Sequence, residues 1–273
     1  MAPDSGGLQL VRRGQVGYFE SPLLAAYGRL LTHAFFTRHG GVSSGQYSSL
    51  NFSSKEGDTA ENVSRNLEIA ASSLGFSAAD FLLVRQVHGD GILTWNGNRP
   101  PVEPLMYDGI VTSSTGIALC IKTADCVPVL LADPVKKIIG AVHAGWRGTA
   151  ARIVQKAVLV MQREYSCRPE NILASEGPAI GPCCYEVDES VIRAMCDRSW
   201  AGFVHKGKMP DRWMLDLAGI NGVQLREAGL PPGNISIGPV CTSCRTDLLY
   251  SHRAESGRTG RSLNFIMLKV PAP

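Results

Sequence analysis

Thr123-Ala-Asp-Cys-Val-Pro-Val-Leu-Leu-Ala-Asp-Pro-Val-Lys-Lys-Ile-Ile-Gly-Ala-Val-His-Ala-Gly-Trp-Arg-Gly-Thr149 is the stretch whose reading decides the fold. Two apolar segments, 127–131 and 138–142, flank Asp133-Pro-Val-Lys136, a turn sequence with Pro at its second position. They are expected to pair as a β-hairpin. Centred between Pro134 and Val135, the pairing sets Leu130 against Ile139, Pro128 against Ala141 and Cys126 against His143. Directly opposed side chains have Cβ atoms ~4.5–5.5 Å apart. That spacing suits a thiolate and an imidazole sharing a metal, or a nucleophile paired with its base. Asp-Pro is not a favoured two-residue hairpin turn, and a slip of one residue would send the two side chains to opposite faces.

A third apolar segment, Phe81-Leu-Leu-Val84, leads into Arg85-Gln-Val-His88. Gly89 follows this histidine and Gly145 follows the other, so backbone can approach a ligand there without interference from a Cβ. His88, Cys126 and His143 together would leave a fourth zinc position for water or substrate, as catalytic zinc sites do. The ordinary alternatives are a hydrogen-bonded histidine at a strand end and a cysteine that fills core.

The 273 residues carry 44% hydrophobic and 19% charged side chains, which excludes a disordered chain. No apolar run approaches the ~18 residues of a membrane helix. Met1-Ala-Pro-Asp-Ser-Gly-Gly7 lacks the basic and apolar regions of a secretory signal. A net charge of +3 is too small to argue for nucleic-acid or membrane binding, and neither partner is expected. Eight cysteines in a chain of this length, without an export signal, point to a reducing cytoplasm. Cys241-Thr-Ser-Cys244 has no second matching pair nearby, and Cys183-Cys184 lies in a turn-rich loop with no histidine close in sequence, so neither is read as a metal site.

Helices are expected over 59–74, capped by Thr59, over 149–165, capped by Thr149, and over 188–195 and 215–228. Further strands are expected at 117–121, 235–237 and 263–270. Pro-rich 98–104 reads as a surface loop. Strands come in runs and no repeat is present, so the expected fold is α+β (mixed α/β): a single domain over 1–273 with a mixed central sheet flanked by helices. The glycines around Trp146, the helix expected after them and Arg147 read as an anion cradle, although the Gly-Lys-Ser/Thr ending of a P-loop is missing. Arg245, His252, Arg253, Arg258 and Arg261 form a second basic cluster whose guanidinium forks suit phosphate.

The chain resembles the laccase-domain family, also called the multicopper polyphenol oxidase or purine nucleoside phosphorylase family. The resemblance spans nearly the whole chain. Its segments here are Phe36-Thr-Arg-His-Gly-Gly-Val-Ser43, Ser49-Leu-Asn51, Gln86-Val-His88, Ala124-Asp-Cys126, Ala141-Val-His-Ala-Gly-Trp-Arg-Gly148, Gly177-Pro-Ala-Ile-Gly-Pro-Cys183 and Arg258-Thr-Gly-Arg261. The family's His-Cys-His zinc ligands fall on His88, Cys126 and His143. The resemblance implies phosphorolysis of adenosine, inosine and S-methyl-5'-thioadenosine, together with adenosine deamination. One departure is the Asn-Arg pair of the helix before the first ligand, which here reads Asn66-Leu67, with Arg65 just ahead.

The oxidase name conflicts with the composition. A multicopper oxidase needs about ten histidines in His-X-His pairs, the imidazole-rich ligation copper prefers. This chain has six histidines and no such pair. A mixed sulfur–imidazole site fits zinc, and copper could occupy it in vitro because it outranks zinc in raw affinity.

In this reading Asp125 is a candidate proton shuttle, and Arg38, Arg147, Arg253 and Arg261 surround the phosphate. Asn51 and Cys183 line the pocket. A cysteine hydrolase with Cys126 as nucleophile and His143 as base, acting on amides or peptidoglycan precursors, uses the same residues and stands as the alternative. A third reading is a nucleotide-binding regulator, which would bind without turnover. Nothing in the sequence assigns an oligomeric state.

Overall fold

The hairpin at the centre of the sequence forms with a four-residue turn. Asp133 accepts hydrogen bonds on Oδ1 from the backbone of Val135 and Lys136, both at 2.9 Å, and Lys137 takes a left-handed conformation at φ +56°. The pairing runs from Asp133 opposite Ile138 to Val127 opposite Ala144, so Pro128, not Cys126, faces His143. The expected register is therefore corrected by one residue on each strand. The shift moves partners by two in total, and a side-chain period of two leaves Cys126 and His143 on the same face, as diagonal neighbours.

The computed structural model describes residues 7–97, 105–195, 197–238 and 240–270. The Pro-rich loop expected at 98–104 and Cys196 lie outside them. The strands in chain order are β1 (Gln9–Arg13), β2 (Val16–Glu20), β3 (Leu31–Phe36), β4 (Phe81–Leu83), β5 (Ile92–Trp95), β6 (Gly109–Thr112), β7 (Ala118–Thr123), β8 (Val127–Asp133), β9 (Ile138–Ala144), β10 (Leu173–Glu176), β11 (Glu186–Asp188), β12 (Val204–Lys206), β13 (Arg212–Leu215), β14 (Ile235–Ser236) and β15 (Ser262–Leu268). The helices are α1 (Pro22–Ala25), α2 (Ala60–Ser73), α3 (Trp146–Ala150), α4 (Ile153–Tyr165), α5 (Glu189–Ala194) and α6 (Leu217–Glu227).

Two six-stranded sheets carry the fold, in the orders β1-β2-β3-β15-β7-β4 and β14-β10-β8-β9-β6-β5, and β11, β12 and β13 make a small third sheet. The sheets pack face to face. Leu82, Leu119, Ile121 and Ile266 of the first meet Ile110, Leu130, Ile139 and Ala141 of the second in one buried cluster. The other face of the second sheet, with Val129, Leu131 and Val142, packs under α4 and α6. The other face of the first sheet, with Phe36, Cys120 and Phe265, packs under Ala70 and Ala71 of α2. This layering explains the unbroken apolar runs of β8 and β9, which are buried on both faces. The expected mixed α/β single-domain class is the one adopted, with its mixed sheet realised as two stacked sheets.

Thr59 caps α2 as expected, accepting from Asn62 N at 3.1 Å. The single helix expected over 149–165 is instead two. α3 starts at an N-cap on Gly145 rather than on Thr149, and Arg152 breaks the chain at φ +59° before α4 begins. Thr149 is buried inside α3 and docks α6, receiving Asn221 Nδ2 at 3.1 Å on its hydroxyl and Gln224 Nε2 at 2.8 Å on its carbonyl. The helix end expected to cradle an anion at Thr149 is therefore absent, and α3 is only five residues long.

His33 on β3 sits 2% exposed between the sheets, its Nε2 accepting from Ser21 N at 2.9 Å. Burial lowers its pKa from 6.5 to about 4. Protons therefore bind more tightly to the unfolded chain, and His33 stabilises the fold fully above pH 6.5, with the contribution lost as pH falls toward 4. Chemical denaturation of the wild type and His33→Gln across this window should show a steeper acid decline in the wild type, by at most roughly 3 kcal/mol. Parallel curves would contradict this assignment.

Candidate metal centre

The site gathers segments from both large sheets. His88 comes from the segment leaving β4 at the edge of the first sheet, while Cys126 precedes β8 and His143 lies near the end of β9 in the second. A ligand atom from each of the three falls within 4.8 Å of the others. The two imidazoles meet edge to face, with ring centroids 4.9 Å apart. His143 is buried, Cys126 half-buried and His88 exposed, so the centre opens to solvent on one side.

Asp108, just before β6, holds this arrangement together and was not singled out in the sequence. Its fully buried carboxylate accepts from the backbone N–H groups of Val87, His88 and Gly89, at 3.2, 3.0 and 2.7 Å. The same carboxylate meets His143 Nδ1 at 2.8 Å, and its backbone carbonyl accepts from His143 N at 2.7 Å. One side chain thus fixes the backbone of one imidazole and the ring of the other. Nδ1 of His143 is committed to Asp108, which leaves Nε2 for a ligand. The three amides also hold His88 at φ +59°, a conformation few residues other than glycine adopt. Burial pushes the Asp108 carboxyl up, but the bonds from His143 and from the backbone outweigh it and hold it below the usual range.

Electrostatics favour the ligating form of the thiol. Burial pushes Cys126 up, yet the charge of His143 and hydrogen bonding to both imidazoles lower it from 9.0 to about 6. Burial pushes His143 down, and the facing thiolate and Asp108 raise it from 6.5 to about 9. One thiolate and two imidazoles form a donor set suited to a borderline-soft divalent ion. Gly145 closes the cradle: a Cβ there would lie 3.1 Å from Cys126 Sγ and 3.5 Å from His88 Cδ2.

Asp125 adjoins the centre at φ +88°. Its Oδ1 accepts from Thr242 Oγ1 at 2.6 Å and its Oδ2 from Arg253 N at 2.7 Å, so proton transfer through it requires one of these bonds to open. Arg253 also donates to the Glu186 carbonyl at 2.7 Å and lies over the ring of Tyr185, 5.4 Å from its centroid. Tyr185, also missed in the sequence, feels the charges of Cys126, Asp125, Arg253 and Arg147, and burial raises its pKa so that it keeps its proton. Arg147 is exposed and stacks over Trp146 at 4.2 Å.

The remaining expected residues are engaged elsewhere. Arg38 donates to the carbonyls of Ser48 and Thr246 at 2.7 and 2.9 Å and to Glu255 at 3.2 Å. Arg261 pairs with Glu56 at 2.7 Å and donates to the carbonyls of Thr259 and Gly260. Asn51 is fully buried, donating to Asp58 at 2.8 Å and accepting from Arg261 N at 2.8 Å. Asn66, the point of departure in α2, receives Val42 N at 2.9 Å and donates to the Asn51 carbonyl at 2.7 Å, while Arg65 points outward to Glu68. A Cβ at Gly41 would lie 2.3 Å from the Ser49 carbonyl, so this motif requires glycine to close its loop. Cys183 belongs to a separate group with Cys184, Cys241 and Cys244.

Residues 32–269 match the family model described as multi-copper polyphenol oxidoreductase laccase. The chain belongs to this family. A purine nucleoside phosphorylase of Deinococcus radiodurans is 40% identical over 246 residues, 88% of this chain and 90% of that protein. The purine nucleoside phosphorylase YlmD of Geobacillus stearothermophilus is 36% identical over 239 residues, 84% and 87% of the two chains. The crystal structure of the Bacillus licheniformis hypothetical protein YfiH superposes with a TM-score of 0.88 at 32% identity, covering 96% of this chain and 99% of that one. Among the described residues the triad gathers two of the six histidines, whereas His33 and His39 bond to backbone groups elsewhere. Among the described residues, no helix is long and apolar enough to cross a membrane.

Asp108→Asn cannot accept from three amides and His143 alike. Competitive chelator titration should show divalent-ion affinity weakened by about 10–100-fold. Unchanged affinity in a folded variant would contradict the role given to Asp108.

Proposed function

We propose that the chain is a zinc-dependent purine nucleoside enzyme, which phosphorolyses adenosine, inosine and S-methyl-5'-thioadenosine to free base and the ribose or methylthioribose 1-phosphate, and also deaminates adenosine. The observation that carries the reading is the convergence of His88, Cys126 and His143, backed by Asp108. The names of the relatives, purine nucleoside phosphorylases from two bacteria, support it. His88, Cys126 and His143 would hold the zinc, which would supply Lewis acidity to the bound substrate or water.

The chain's own groups do the rest. Asp108 orients the His143 ring, and the Cys126 thiolate faces both imidazoles. In this reading Arg147 and Arg253 gather phosphate, whose oxygen attacks the ribose C1′ as the bond to the purine nitrogen breaks. Arg38, Arg261 and Asn51 hold the loops at 38–58 and 259–261, and Asp125, next to Cys126, bonds to Thr242 and Arg253. Protons are required both at the departing base and at the departing ammonia.

The Asp108–His143–Cys126 alignment also favours the cysteine hydrolase reading, since a carboxylate, an imidazole and a thiol follow one another as in a nucleophile triad. His88, a second imidazole aimed at the same sulfur, has no role in that chemistry and has one in holding metal.

Metal-replete protein incubated with adenosine and phosphate should release adenine by phosphorolysis and inosine by deamination, with hypoxanthine following. Single alanine replacements of His88, Cys126 and His143 should cost more than the about 10–100-fold typical of an outer-shell partner, in turnover and metal content together. Full metal occupancy in Cys126→Ala would refute the ligand assignment. Amide hydrolysis that survives chelation but not iodoacetamide would favour the hydrolase.

A further inference from the structure

Two turns remote in sequence meet beside the metal centre. Cys183 and Cys184 lie in the turn that follows Gly181, with Cys184 N and Tyr185 N both bonded to the Gly181 carbonyl at 3.0 Å. Cys241 and Cys244 lie in a second turn, in which Arg245 N bonds to the Cys241 carbonyl at 3.1 Å. Backbone hydrogen bonds clasp the turns together, from Ala179 N to Val240 O at 3.2 Å and from Thr242 N to Ala179 O at 3.0 Å. All four sulfurs fall within 4.8 Å of one another. Cys244 Sγ is 3.6 Å from Cys183 Sγ and 3.4 Å from Cys184 Sγ.

We propose that Cys183, Cys184, Cys241 and Cys244 bind one zinc ion in a closed structural site, distinct from the His88–Cys126–His143 centre. Zinc–sulfur bonds of ~2.3 Å in a tetrahedron place neighbouring sulfurs ~3.8 Å apart, close to the two separations observed. A disulfide would need sulfurs ~2.05 Å apart, and every thiol here is free. Convergence within 4.8 Å suits a single ion, not an iron–sulfur cluster, which spreads its thiolates around several irons. Four thiolates select a soft tetrahedral ion over the hard cations.

The surroundings fit. Gly181 N donates to Cys241 Sγ at 3.2 Å, the kind of hydrogen bond that steadies a metal-bound thiolate. A Cβ at Gly181 would lie 3.3 Å from Cys183 Sγ and 3.6 Å from Cys241 Sγ, so glycine leaves the sulfurs room. The ion would replace a hydrophobic core that two exposed turns cannot build. Its position gives it a structural purpose. One turn ends at Tyr185, the other contains Thr242, and Thr242 and Ile180 both bond to Asp125, next to Cys126.

The site stands or falls apart from the proposed enzymatic activity, because metal counting and thiol accessibility read it directly. The full chain, purified under reducing conditions, loaded with zinc and desalted, should hold about two zinc ions, one open and one closed. Cys244→Ser and Cys241→Ser should each lose one and keep the ion that His88→Ala and Cys126→Ala lose. In the wild type, five more thiols should react with a disulfide reagent after chelation than before it, Cys126 and the four of the cluster, and four in Cys126→Ala. Cobalt substitution should give thiolate charge-transfer absorption that persists in Cys126→Ala. A zinc count that Cys241→Ser and Cys244→Ser leave unchanged, or equal reactivity of these four thiols with and without zinc, would overturn the proposal. So would a disulfide between the two turns in the native protein.

Discussion

A buried carboxylate organises the candidate metal centre. Asp108 is fully buried, and a buried charge is costly unless every lone pair is used. Here they are used, by three successive amides of the 87–89 turn and by the His143 ring. Such charge-assisted bonds are the strong ones. They also keep His88 in a left-handed conformation that the chain would otherwise leave. Asp108 is the hydrogen-bonded link between the turn after β4 and His143 on β9.

The layered fold makes that position available. β8 and β9 are buried on both faces, one against the helices and one against the other sheet, so their side-chain alternation is strictly enforced. Cys126 and His143 share the face toward the first sheet. Gly145 then turns the chain into α3 and leaves the sulfur unobstructed.

This alternation is why the thiol and imidazole were legible in the sequence even though the hairpin register was not. An Asp-Pro turn signals a reversal but not its length, and the asparagine-like capping by Asp133 that sets four residues is a local hydrogen-bonding outcome. The capping of α2 by Thr59 was legible because it is local too. Asp108 was hidden because its partners lie 19 to 35 residues away and Tyr107-Asp-Gly reads as an ordinary turn. The break at Arg152 was hidden because that residue's partners, Asp197 and Glu227, are remote. Cys183-Cys184 and Cys241-x-x-Cys244 looked like isolated fragments for the same reason. Arg38, Asn51 and Arg261 stand within the resemblance motifs yet spend their polar atoms on loop carbonyls, amides and carboxylates. The motifs record scaffolding as well as chemistry.

The central claim is that three donors from both sheets surround one divalent ion. Anomalous diffraction collected at the zinc edge from metal-replete crystals tests it most directly. The account predicts a peak roughly 2.0–2.3 Å from the Cys126 sulfur and from a ring nitrogen of both His88 and His143. Metal-replete crystals with no peak between these side chains, or with the three turned away from one another, would contradict it.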